Sequence, residues 1–139
     1  MHVEVLTYKG NEDPRDLVLK RFADVLPKIP VFGNRVLVAH APHCERSAGG
    51  IIYGDKTKDE HKFQGKVVMC LKLGPNCFRS DGQYPWRGPT FAPGDWLVCR
   101  SSNLFRCGIS PEASTAGISC GFIFDDLVEC IVPNPEMFW

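Results

Sequence analysis

The chain has no excess of either charge: Lys and Arg total 16 and Asp and Glu total 16 among 139 residues. A general nucleic-acid binder gathers an excess of base on one face, so this balance argues against that class. No apolar run approaches the ~20 residues that a membrane helix needs. The opening Met1-His2-Val3-Glu4 lacks the basic flank and apolar core of a secretion signal. No two cysteines form C-x-x-C, and there is no internal repeat or low-complexity tract. Gly49-Gly50 is not followed by Gly-Lys-Ser/Thr, which sets aside a phosphate loop.

What is present fits one globular domain. Hydrophobic residues make up 44% and charged residues 23%, too apolar for a disordered chain. A domain of this size buries roughly 68–70% of its unfolded surface, enough for a core without staples. The 7 cysteines are Cys44, Cys70, Cys77, Cys99, Cys107, Cys120 and Cys130. An odd number cannot all pair within the chain, and free thiols in a reducing compartment are the simpler reading. Cys70, Cys99 and Cys130 sit inside apolar runs, where cysteine acts as a small hydrophobe. With 13 Gly and 11 Pro, the chain is punctuated into short apolar runs, which predicts an all-β domain.

Val3 to Tyr8 reads as a short opening strand. Asp13-Pro14 reads as an N-cap with proline at the first helical position. Val18, Phe22, Val25 and Leu26 then recur at helical spacing until Pro27 stops the helix. Residues 1–29 are therefore expected to form an N-terminal extension with one short helix. The body begins at about residue 30, and Arg35 to Ala39 is its first strand. Gly65 to Leu71, Trp96 to Cys99, Gly121 to Phe124 and Leu127 to Val132 read as further strands. Asp81-Gly82 is a hairpin-turn dipeptide. Phe91-Ala92-Pro93-Gly94-Asp95 is a turn before a strand. Ser110 to Gly117 reads as a polar loop.

One triplet asks for a function. Ile51-Ile52-Tyr53 stands between a glycine pair and the polar stretch Gly54 to Lys62. It reads either as an edge strand in a long hairpin from Arg46 to Lys66 or as the apolar tip of a mobile arm that docks on a partner. Glycines keep such an arm disordered until it binds, which weakens each engagement. Several arms on one ring recover strength by avidity.

Residues from about Pro30 to Val132 resemble the GroES-like ten-kilodalton co-chaperonin family. Pro30-Val31-Phe32-Gly33-Asn34-Arg35-Val36-Leu37-Val38 looks like the opening proline and Arg-Val strand of that family. Ser47-Ala48-Gly49-Gly50-Ile51 matches the start of its mobile loop residue for residue, and Ile51, Ile52 and Tyr53 occupy the docking positions. Gly65-Lys66-Val67-Val68, the turn Pro93-Gly94-Asp95 and the closing Phe124 to Val132 follow in the family's order. The resemblance implies a small, irregular Greek-key β-barrel over residues 30–132, a roof hairpin near Asp81-Gly82 and a seven-membered ring of identical subunits. It implies partner binding by Ser47, Ala48, Gly49, Gly50, Ile51, Ile52 and Tyr53 to the apical domains of a GroEL-like chaperonin. The implied activity is capping a folding chamber in the cytoplasm, with no cofactor and no chemistry on a substrate. Departures are residues 1–29, Tyr53 in place of an aliphatic residue, Asn34 in place of a frequent aspartate, and the tail 133–139 ending in Met137-Phe138-Trp139. Such extensions also suit a phage-encoded member, or a virion or adaptor protein that borrowed the ring-forming fold and contacts other virion proteins.

Other constellations are set aside. His40, His43 and Cys44 include zinc-type ligands, but a structural site needs four and no second pair lies at a familiar spacing. Asp125-Asp126 reads as a turn, because adjacent side chains on a strand point apart. Seven thiols and four histidines make a chance nucleophile–base pair uninformative. The lysines at 56, 58, 62 and 66 are diluted by Asp55, Asp59 and Glu60, so no nucleic-acid patch forms.

Overall fold

Alternating residues of the apolar strands face two different hydrophobic clusters, and this explains why those strands read as unbroken apolar runs rather than as alternating ones. The computed structural model describes residues 3–4, 6–8, 12–44, 67–79, 85–110 and 117–135. In chain order the strands are β1 (Val3–Glu4), β2 (Thr7–Tyr8), β3 (Arg35–His40), β4 (His43–Cys44), β5 (Val67–Leu73), β6 (Trp96–Cys99), β7 (Phe105–Ile109), β8 (Gly117–Phe124) and β9 (Val128–Val132). One α-helix, α1 (Pro14–Phe22), precedes β3. The chain is thus mostly β.

Six of these strands form one antiparallel sheet in the order β7, β8, β3, β5, β6, β9. β1 adds to β8 in parallel through Val3↔Gly117 and Glu4↔Ile118. β2 and β4 form a separate parallel pair. Among the described residues no pairing joins the outer strands β7 and β9, so the sheet is open, where the sequence predicts a closed barrel. Register shifts at Leu37/Val38 and at Val98/Cys99 interrupt the ladders, and such bulges increase local twist.

Leu37, Ala39, Met69, Leu71, Trp96 and Ile118 pack on one face of the sheet. Val36, Val38, Val68, Cys70, Leu97 and Ile123 pack on the other. Helix α1 covers the first face. Its start is fixed by Asp13, whose Oδ1 accepts from the Arg15 amide at 2.9 Å, with Pro14 following. Its Val18 and Phe22 are fully buried in the same cluster as the sheet. The helix ends at Phe22, four residues earlier than the spacing predicts, and a 3-10 turn, Leu26–Lys28, follows. The Lys72 ammonium reaches across from β5 and donates to the carbonyls of Leu26 and Ile29 at 2.9 and 2.8 Å. The Leu26 carbonyl also accepts from the Ile29 amide within the turn at 3.2 Å, so the cation adds a second donor there and one at Ile29, where a charge of this sign suits the C-terminal end of a helical turn. The extension's helix and the sheet therefore share one core.

Among the described residues no helix is long and apolar enough to cross a membrane.

Candidate functional site

Two segments of the chain adjoin opposite ends of β5. The first is the segment 45–66, which holds Ser47, Ala48, Gly49, Gly50, Ile51, Ile52 and Tyr53; all seven lie outside the described residues, as do the Asp81-Gly82 dipeptide and the Met137-Phe138-Trp139 tip. The base of the first segment is described. β3 and β5 pair up to His40↔Val68, and the Ala41 amide then donates to the Val67 carbonyl at 3.2 Å. β4 follows at once and pairs with β2, in a separate two-stranded sheet, through Thr7↔His43 and Tyr8↔Cys44. In the chain, segment 45–66 thus begins after the β2–β4 pair and ends at the β3–β5 ladder. Residues near the N-terminus supply one strand of that pair, a contribution invisible in sequence because a two-residue strand has no period to read.

At the far end of β5, about 20 Å away for a strand of this length, the chain turns through Gly74 to Phe78. Gly74 sits against Gly33, where an added Cβ would come within 2.3 Å of the Gly33 carbonyl oxygen. The Gly74 amide donates to Arg35 O and the Asn76 amide to Gly33 O, both at 2.9 Å. Phe78 adopts φ 60°, a left-handed conformation unfavourable for a bulky side chain. Three contacts hold it there. Its amide donates to Asp125 Oδ2 at 2.7 Å. Its ring meets Phe91 edge-on at 4.7 Å and Trp86 at 5.0 Å. The Phe78–Trp86 contact joins residues on either side of the second segment, residues 80–84.

Asp125 is the buried polar hinge of this end, with 5% of its surface exposed. Its Oδ1 accepts from Asn34 Nδ2 at 3.0 Å, and its backbone amide donates to Asn34 O at 3.1 Å. Asp126 is exposed, so the adjacent carboxylates diverge, as their adjacency predicts. The two form a 3-10 turn, Asp125–Leu127. Beside it lies an open groove of about 640 Å³ bordered by Asn34, Asn76, Arg79, Trp86, Asp126 and Glu129. Its charges are mixed, and Glu129 also ion-pairs with Arg100 at 3.2 Å, so it offers no single-sign field for a phosphate.

Of the metal-type cluster, the His43 and Cys44 side chains lie outside the described residues, and among those described no group of three His, Cys, Asp or Glu side chains converges. His40 Nδ1 instead hydrogen-bonds Ser119 Oγ across β3 and β8. The buried thiols are kept protonated. Burial, followed by the Asp95 charge, pushes Cys70 up to about 12, and burial pushes Cys99 up to about 11. Burial also raises Cys77, whose Sγ donates to Arg35 O at 3.4 Å. Several apolar side chains face solvent instead: Phe32 is 71% exposed and Phe105 72%. Phe124 is partly exposed under the Arg35 guanidinium, 5.4 Å from its ring centre.

No protein-family model matches the chain, and no curated protein matches it.

Proposed function

We propose that the chain is a co-chaperonin-like ring subunit, and that Ile51, Ile52 and Tyr53 dock on the apical domains of a GroEL-like chaperonin to cap its folding chamber. What supports this reading is the stretch Ser47-Ala48-Gly49-Gly50-Ile51 together with the described residues that bracket it in the chain: β4 ends at Cys44, paired with β2, and β5 begins at Val67, paired with β3. Residues 80–84, with Asp81-Gly82, follow the opposite end of β5 in the chain, the order that a cap with an arm and a roof requires.

The architecture belongs to the same proposal. β8 lies beside β3 in the order β8, β3, β5, β6, the spatial order of a Greek key. With apolar clusters on both faces and, among the described residues, no further strand beside β7 and β9, this supports an irregular GroES-like body whose edges are completed by neighbours in a ring. The setting for this activity is the cytoplasm.

A second reading, a virion or adaptor protein using the same ring-forming body, is favoured by one observation. Phe32 and Phe105 each expose most of their ring, and aromatic side chains are enriched where proteins contact partners.

The test is capture of the purified chain by immobilised chaperonin with and without ATP, beside Ile52→Asp. Nucleotide-dependent capture of the native chain, lost in a variant that keeps its far-ultraviolet spectrum, is the expected result. No capture, with the chain found instead in purified particles, overturns the first reading in favour of the second. Unfolding of Ile52→Asp would make the triplet a core strand and overturn the arm itself.

A further inference from the structure

Cys107 and Cys120 face each other directly on the antiparallel strands β7 and β8. Their sulfurs are 3.4 Å apart, and the Cys120 Sγ also lies 3.6 Å from the Cys107 carbonyl oxygen. Directly opposed residues of an antiparallel pair have Cα atoms about 4.5 or 5.5 Å apart, and both spacings fall inside the window for a disulfide. Closing the remaining ~1.4 Å to a bonded S–S distance is within the reach of side-chain rotation. The two thiols differ in access. Cys120 is fully buried in the core cluster under α1, whereas Cys107 is partly exposed on the outermost strand.

We propose that Cys107 and Cys120 form a reversible redox site that takes small-molecule disulfides of the glutathione type and closes into an intrachain disulfide stapling β7 to β8. The Cys107 thiolate attacks one sulfur of the small disulfide, whose S–S bond breaks and releases one small thiol. The resulting mixed disulfide on Cys107 is then attacked by Cys120 after its proton is lost. The Cys107–Cys120 bond forms, and the second small thiol leaves. The protein gives up two protons and two electrons, and the small disulfide takes them up to become two thiols, so the exchange balances. The order follows from access, and it agrees with the raised pKa of Cys120, which comes from burial and then the neighbouring Cys107 sulfur, so Cys120 is the resolving rather than the attacking thiol.

The other described thiols lack this arrangement. Cys70 and Cys99 are buried on the opposite face of the sheet, Cys77 is partly exposed with its Sγ donating to Arg35 O, and Cys130 is exposed on β9 at the far edge. A glutathione buffer therefore distinguishes them. The full chain is equilibrated at rising ratios of oxidised to reduced glutathione, quenched in acid, alkylated and mapped by mass spectrometry. The expected product is a Cys107–Cys120 cross-linked peptide two hydrogens lighter than its parts and fully reversed by dithiothreitol. Cys120→Ser is expected to stop at a glutathione adduct on Cys107, and Cys107→Ser to leave Cys120 reduced while the chain is folded. Free, alkylatable Cys107 and Cys120 at the most oxidising ratio would overturn the proposal. So would oxidation confined to Cys130 or to links between chains. The mapping of the native chain decides the matter even if a variant fails to fold.

Discussion

Removing the Asp125 carboxylate is expected to cost far more than its place in a short turn implies. Its two oxygens accept from two separate parts of the chain, the Phe78 amide at 2.7 Å and the Asn34 side chain at 3.0 Å, and it is almost fully buried. A hydrogen bond to a charged group contributes about 1.5–3 kcal/mol, and an orphaned buried donor costs about 1–3 kcal/mol. Asp125→Ala removes both bonds, strands the Phe78 amide and frees a residue held at positive φ. Relief of the carboxylate's own burial offsets part of this, leaving an expected loss of about 3 kcal/mol. Asp125→Asn has a different outcome. Its one remaining oxygen can face the Phe78 amide, and Asn34 can turn its own amide to accept from the new NH2 group. The expected loss is then about 1 kcal/mol. Urea unfolding followed by tryptophan fluorescence, at an unchanged dependence on denaturant, measures both. An alanine variant within about 0.5 kcal/mol of the native chain, or an asparagine variant as damaged as the alanine one, would refute the hinge role.

Three further outcomes follow from the packing. Phe22→Ala, in the fully buried face of α1, is expected to lose about 3–5 kcal/mol in the same assay, whereas Phe32→Ala, on an exposed ring, stays within about 0.5 kcal/mol. Gly74→Ala is expected to destabilise by about 1–3 kcal/mol, because the Gly33 carbonyl oxygen occupies the space of the new methyl group; an unchanged urea midpoint would show that the turn yields freely. Stability in the presence of reductant is expected to be full below about pH 9 and to fall as the pH rises through the range 9 to 12. The Cys70 and Cys99 thiols ionise near 9.0 when unfolded but near 12 and 11 when folded, so the unfolded chain binds fewer protons in that window and gains the advantage. Urea midpoints at pH 8 and pH 10.5 check the sign, and a rise at the higher pH would contradict it.

Long, uninterrupted signals were legible in the sequence. Trp96–Cys99 is the strand expected, and Arg35–His40, Val67–Leu73 and Val128–Val132 differ from expectation by one or two residues at their ends. The Asp13-Pro14 start marks the first residue of α1 because cap and proline chemistry are local. β7 escaped notice: Arg106 and Gly108 break its apolar pattern, and it exists only because β8 offers a partner. β8 begins at Gly117, the last residue of the expected polar loop, four residues before the strand expected from Gly121, for the same reason. The pairings of Cys107 with Cys120 and of His40 with Ser119 join residues far apart in the chain, and no single-strand pattern announces them. The docking of α1 is similar. Val18 and Phe22 reveal an apolar stripe, but only the sheet shows what it covers. The residues proposed to dock, Ser47 to Tyr53, were singled out by their own order, and the described structure adds only the β3–β5 ladder that precedes and follows them in the chain.

The measurement that bears most directly on the account is native mass spectrometry of the chain mixed with chaperonin, with and without ATP. The account expects a nucleotide-dependent complex in which several copies of the chain join one chaperonin ring together, with Ile52→Asp absent from it. Single copies bound without regard to nucleotide, or chaperonin that stays bare beside a folded and oligomeric chain, would contradict it.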